Sequence, residues 1–209
     1  MPKGSIITDR HFYKPEDGHG LAHDPLNAII APRPIGWVST LSATGKRNLA
    51  PYSFFNLFNY RPPLIGFSSV GHKDSVANAE ATGEFVWNLA TRDLAGAMNA
   101  TSAQTDRDEW VVSGLEAVPS ELVKPPRVAA SPVNFECEVT QIVRLRTRAG
   151  GDTDTWLIMG EAVGIHIDGA MIEDGVYVTT KARPILRGGG PADYFEALDA
   201  GKFQMERPD

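Results

Sequence analysis

Two neighbouring stretches decide the fold: Arg33-Pro34-Ile35-Gly36-Trp37-Val38-Ser39-Thr40-Leu41-Ser42, then Asn48-Leu49-Ala50-Pro51-Tyr52-Ser53-Phe54-Phe55-Asn56. Both are rich in β-branched and aromatic residues, which suit a half-buried pleated surface. Between them lies Ala43-Thr44-Gly45-Lys46, a Gly-containing loop of hairpin length. The pair therefore reads as a β-hairpin.

Working outward, residues 62–70 (PPLIGFSSV) form another strand, with proline confined to its start. Residues 75–83 (SVANAEATG) read as an Ala-rich helix stopped by Gly83. Residues 84–90 (EFVWNLA) return to strand character. Thr91 then reads as the N-cap of a short helix, with Asp93 in its first turn. Residues 104–132 carry four prolines and read as a surface excursion. Residues 134–148 and 154–168 are long strands around the turn Ala149-Gly150-Gly151-Asp152, which makes a second hairpin. A further extended run covers 176–187, and residues after Gly188–Gly190 lead into a short helix or tail. The sum is an all-β barrel with helical insertions rather than alternating βα units.

Composition narrows the function. The 209 residues suit one domain. A net charge of −6, from 20 basic and 26 acidic residues, argues against a nucleic-acid surface. The amino terminus lacks the apolar region of a secretory signal, and no stretch approaches the roughly 18 apolar residues of a membrane span. No nucleic-acid and no membrane partner is expected, and the expected setting is cytoplasmic. One cysteine excludes a disulfide framework and a Cys-based zinc site. Cys137, between Phe135 and Val139 on a strand, reads as a buried thiol. His11, His19 and His23 lie in a Gly/Pro-rich lead-in that offers no helical metal scaffold, so no metal site is expected. P-loop, Rossmann, nucleophile-elbow and H-E-x-x-H motifs are all missing.

Two segments carry positive signals. The 50–56 block sets hydroxyl, amide and backbone donors beside flat aromatic groups, a mixture that can hold a planar heteroaromatic ring. Gly71-His72-Lys73-Asp74-Ser75 opens a helix, whose free N–H groups, with a Lys and a Ser hydroxyl, can hold a phosphate. An ordinary aromatic strand end and an ordinary helix cap remain open as readings of each segment alone. Together, a ring site and a phosphate site suit a flavin mononucleotide.

At this point the sequence resembles the flavin reductase-like family with the FMN-binding split barrel. RPIGWVSTLS (33–42) and NLAPYSFFN (48–56) carry the resemblance most specifically. HKDS (72–75), GEFVWNLAT (83–91), AMNATSA (97–103), PPRVAASPVNFECEV (125–139) and GEAVGIHID (160–168) extend it. It implies a Greek-key-type split β-barrel over residues 27–190, an N-terminal arm over 1–26 and a C-terminal tail over 191–209. It also implies a homodimer with flavin near the subunit interface. Thr40, Ser53, Phe54 and Asn56 are carried over to the isoalloxazine and ribityl chain. Lys73, Asp74 and Ser75 go to the phosphate, with Asp74 capping the helix rather than touching a second anion. Ser68 and Arg187 are carried over as well, and Tyr194 would close over the site.

The implied function is FMN-dependent oxidoreduction: NADH or NADPH reduces flavin, and reduced flavin passes to a partner oxygenase. Backbone N–H groups around residues 51–54 are the candidates for stabilising the reduced ring. No catalytic residue is assigned. One departure stands out. Reductases of this family carry a His before the second long strand, in a G-D-H context, whereas this chain reads Gly151-Asp152-Thr153-Asp154-Thr155. The alternative is therefore a flavin-binding electron carrier or storage module without NAD(P)H turnover. A related barrel holding pyridoxal phosphate is a third reading. Lone His166, at the far end of that strand, reads as structural or solvated.

Overall fold

A computed structural model describes residues 10–103 and 107–208. In chain order it contains α1 (Leu26–Ile29), β1 (Arg33–Pro34), β2 (Gly36–Leu41), β3 (Arg47–Tyr52), β4 (Phe55–Tyr60), β5 (Pro63–Val70) and α2 (Asp74–Thr82). Next come β6 (Glu84–Asn88), α3 (Ala95–Ala100), α4 (Glu109–Ser113), β7 (Ala117–Val118), β8 (Arg127–Val128), β9 (Val133–Arg146) and β10 (Asp152–Ile167). The chain closes with β11 (Ile172–Glu173), β12 (Val176–Tyr177), β13 (Ile185–Arg187) and β14 (Tyr194–Glu196).

The main sheet is antiparallel and runs β3-β2-β6-β9-β10-β5-β4. Its two ends are β3 and β4, yet only Ser53 and Phe54 separate them in sequence. The sheet must therefore curl until its ends meet, which is what makes it a barrel. Tyr52 ends its pairing with Gly36 of β2, and Phe55 begins pairing with Phe67 of β5. At the corner, the Ser68 N–H donates to the Phe54 carbonyl at 2.8 Å.

The barrel interior holds Val38, Ile65, Phe67, Phe85, Cys137 and Ile158, and α2 plugs it with Val76 and Ala79. Phe67 meets Tyr52 at 4.7 Å and Phe85 at 5.5 Å between ring centroids. Burying each such ring contributes about 1.5–3 kcal/mol. Gly160 of β10 is needed here, because a Cβ there would sit 2.4 Å from Phe85 Cε1. A second core lies outside the barrel, where Trp37, Leu49, Ala90 and Ile185 pack against Met98 and Trp110 from α3 and α4. Residues on both faces of β2 are thus buried, including the polar Ser39 and Thr40, which is why its sequence shows little apolar–polar alternation.

The hairpins, the 62–70 strand and the helix ended by Gly83 stand as expected; Gly83 adopts the left-handed conformation at φ +71°. Cys137 is buried, and burial followed by the Glu136 charge pushes its thiol up. Three local expectations are corrected. Thr91 caps no helix: it forms a β-bridge with Pro184, its carbonyl accepts the Leu94 N–H, and α3 starts only at Ala95. The run 176–187 is broken by a 3-10 turn at Thr179–Ala182. Residues 194–196 form a strand on β13, not a helix.

Candidate functional site

Helix α2 begins directly after β5, and Lys73 occupies its N-cap position with extended backbone. No side chain caps it. Asp74 is instead the first helical residue, so the expected Asp74 cap is absent. The Val76 N–H is taken by the Lys73 carbonyl at 2.9 Å, which leaves the N–H groups of Asp74 and Ser75 for other acceptors.

These groups open onto a cleft of about 670 Å³. One wall is the end of β3: Asn48, Ala50, Pro51 and Tyr52. The second is the start of α2: Lys73, Asp74 and Ser75. The third comes from the excursion after α3: Thr101, Ser102, Ala103 and, from α4, Glu109. The proposed phosphate segment and part of the proposed ring segment, about 20 residues apart in sequence, therefore share one concavity.

A buried amide network fixes the floor. Asn48 Nδ2 donates to Ser75 Oγ at 2.8 Å and to Thr40 Oγ1 at 3.2 Å. Asn78 Nδ2 also donates to Thr40 Oγ1, at 3.0 Å. Thr40 is fully buried, so its hydroxyl lies one layer behind the cleft, where it orients Asn48. Thr101 is held from below: Trp37 Nε1 donates to its Oγ1 at 3.0 Å, and that hydroxyl donates to the Met98 carbonyl at 2.7 Å. Burial pushes the Tyr52 phenol up, against hydrogen bonding with Ser75 and Ser69 and with Asp74 adding to the rise.

The remaining sequence-derived residues lie outside the cleft wall. Ser53 is at the β3–β4 corner, where its carbonyl accepts Arg33 Nε at 3.2 Å. Phe54 is half exposed beneath the Arg33 guanidinium, 5.7 Å from its ring centroid. Asn56 is exposed on β4, and its Oδ1 accepts the Leu57 N–H. Ser68 touches the same corner through its backbone. Arg187 pairs across from Arg33 but spends its guanidinium on the carbonyls of Gly190, Pro191 and Asp193, stacked 5.0 Å from the Tyr194 ring. The 151–155 segment opens β10 and is structural: Asp152 binds Arg144 at 3.3 Å and Arg146 at 3.0 Å. His166 donates to Glu136 at 2.5 Å and is structural rather than solvated.

Sequence reasoning assigned no role to Asn48, Thr101, Ser102 or Glu109. Asn48 and the Thr101–Ser102 pair fall inside stretches that carry the family resemblance, which was the available signal. Glu109 carries no such signal, because only the folded excursion brings it to the cleft.

Residues 30–186 match the Flavin reductase like domain. An uncharacterized protein of Aquifex aeolicus is 35% identical over 185 residues, covering 85% of this chain and 90% of that one. Nitrilotriacetate monooxygenase component B from Bacillus cereus superposes with a TM-score of 0.79 at 26% identity, over 95% of this chain and 98% of that one. The structure with a split barrel domain from Shewanella frigidimarina gives 0.74 at 20% identity, over 86% and 89%. The curled sheet is thus a split barrel, and the chain belongs to the flavin reductase like family, a family of flavin-related oxidoreductases.

Proposed function

We propose that the chain binds FMN in this cleft and reduces it with NADH or NADPH. The observation that carries the reading is the meeting of the β3 end and the uncapped start of α2 in a single cleft. The donor set fits: Lys73 supplies a cation, Ser75 a hydroxyl, and the first turn of α2 its N–H groups, all suited to a phosphate. Residues 50–52 present backbone and a phenol beside it, suited to the ribityl chain and the polar edge of the ring. Ser53, Phe54, Asn56 and Ser68 adjoin at the corner and are assigned to the outer side of the ring. Thr40 acts through Asn48, and Arg187 through the 190–194 loop that carries Tyr194.

When bound, the flavin supplies the hydride and electron chemistry. The chain's task is to orient it and to leave one ring face open to a nicotinamide. The likeness to a monooxygenase component B at 26% identity supports a partner oxygenase as the acceptor of reduced flavin. The working unit is proposed to be a homodimer.

The purified chain should be yellow or should take up FMN at micromolar levels, and NADH or NADPH should bleach the flavin within the stopped-flow time range. A chain that binds no flavin overturns the reading. The 151–155 segment favours a second reading. It contains no His, and its Asp152 is clamped by two arginines, so the imidazole of the G-D-H context has no counterpart there. Bound flavin that neither nicotinamide bleaches would make the chain an electron carrier or storage module.

A further inference from the structure

A second cavity, of about 500 Å³, shares no lining residue with the cleft described above. Helix α3 and Arg92 line it on one side, and Tyr194 and Phe195 of β14 also border it. Buried Met98 and Ile185 give it an apolar lining. Its size falls in the range of small-molecule pockets.

Both aromatic rings are held in place. The Arg187 guanidinium lies 5.0 Å from the Tyr194 ring centroid and is itself pinned on the carbonyls of Gly190, Pro191 and Asp193. Phe195 lies against Gly188, where a Cβ would come within 2.9 Å of its Cε2. On the helix side, a Cβ at Gly96 would meet nothing within 4 Å, so the space above the backbone is open. The cavity thus offers preset aromatic surface and room for a flat ring.

Its two charged groups have bonding capacity to spare. The Glu196 side chain is only 20% exposed, and its Oε1 accepts from Arg183 Nε at 2.6 Å. Its Oε2 has Arg92 Nε at 3.9 Å, beyond hydrogen-bond length. Among the described residues the Arg92 guanidinium has no closer acceptor. A donor and an acceptor therefore stand side by side in an aromatic-lined cavity. Stacking on aromatic side chains with hydrogen bonds along one edge is how an unpaired nucleobase is read. Adenine sets a ring-nitrogen acceptor, suited to Arg92, beside an amino donor, suited to Glu196 Oε2. Guanine sets two donors in a row beside its carbonyl. One of them would go unmet, because Arg183 holds the other Glu196 oxygen. Pyrimidines offer less surface to stack.

We propose that this cavity binds the adenine base of a nucleotide, with Tyr194 and Phe195 against the ring and Arg92 and Glu196 on its edge. The site goes beyond the flavin reading and does not depend on it. Two sources carry this base: NADH or NADPH, and a free adenine nucleotide. Helix α3 connects the cavity with the flavin cleft, since Asn99 lines the one and Thr101 the other.

The test titrates the full chain with adenosine, guanosine and cytidine by calorimetry. Adenosine should bind, and guanosine should bind at least about tenfold more weakly for its unmet donor. That comparison needs no variant. Gly96→Leu fills the open space with a residue that suits a helix. It should abolish adenosine binding and leave FMN uptake intact. Glu196→Gln should erase the preference for adenosine over guanosine. A wild type that binds no adenosine, that binds both purines equally, or whose adenosine binding survives Gly96→Leu overturns the proposal. FMN uptake is read separately by absorbance, so a failure of the flavin reading is distinct from a failure here. Steady-state kinetics with NADH assigns the source. If Gly96→Leu raises the NADH KM and leaves kcat unchanged, the base is that of the electron donor. An unchanged KM, or a chain that does not oxidise NADH, assigns the site to a free nucleotide, and AMP should then bind the wild type but not Gly96→Leu.

Discussion

Glu136 shows how much one side chain can hold. It is a carboxylate with 0% exposure, inside a strand that faces the barrel wall. It accepts N–H bonds from Glu121 at 2.8 Å, Leu122 at 2.6 Å and Val123 at 3.2 Å, and the His166 imidazole at 2.5 Å. Burial alone would raise its pKa. The backbone N–H of Glu121, then His166, then the N–H groups of Leu122 and Val123 outweigh that and hold it below the ordinary value of 4.5. A carboxyl held low in the folded state stabilises the fold above its unfolded pKa and loses that contribution as pH falls through the folded value. Glu136→Gln should therefore cost about 2–4 kcal/mol at pH 7, since an amide cannot accept all four donors. Urea unfolding at pH 7, 5 and 3.5 should show the gap to wild type closing as pH drops below 4.5. A gap independent of pH would mean that Glu136 is held as a neutral acid.

At the scale of elements, what could be read ahead depended on where each element's partners lie. The β2–β3 and β9–β10 hairpins were legible, because their strands pair with sequence neighbours across turns of recognisable chemistry. Helix α2 was legible from its alanines and Gly83. Thr91 was misread because its partner, Pro184, lies 93 residues away. Strand β14 is three residues long and exists only because β13 offers it an edge. The site divides the same way. The walls from β3 and α2 were legible; the wall made by Thr101, Ser102, Ala103 and Glu109 was not, since tertiary packing alone brings those residues there. Helix α2 carries its own prediction. Lys73→Ala should weaken FMN about ten- to hundredfold, in keeping with a charge-assisted hydrogen bond worth about 1.5–3 kcal/mol. Riboflavin should change by less than about twofold, because it lacks the group that Lys73 meets. Equal losses for both ligands, measured by fluorescence quenching, would place Lys73 away from the phosphate.

The whole molecule leaves an apolar surface that a single chain does not cover. Strand β4 ends the sheet order, so among the described residues one of its edges has no strand partner. Leu57, Phe58 and Tyr60 on it are 49%, 53% and 73% exposed. The surface extends to the amino-terminal side through Arg33, whose guanidinium donates to the carbonyls of Asn27, Ile30, Ser53 and Gly188. That draws the end of α1, with exposed Leu26, Ile29 and Ile30, against the β3–β4 corner and its exposed Phe54. Exposed apolar side chains on and beside an unpaired edge mark an association surface or an aggregation hazard. The proposed homodimer would cover it, because an isologous contact buries the same patch on both chains at once. The chain should therefore sediment at twice its own mass at micromolar concentration. Phe58→Asp combined with Ile30→Asp should shift it to the monomer without unfolding the barrel, whose core contains neither residue. The monomeric variant should also lose FMN affinity, since Phe54 and Asn56, assigned to the outer side of the ring, lie at the same corner and on the same strand as the patch. A chain that is monomeric as wild type would leave the ring's outer face open to water and would favour the reading without NAD(P)H turnover. A dimer that survives both substitutions would place the interface elsewhere, with the exposed ends of β9 and β10 next to be tested.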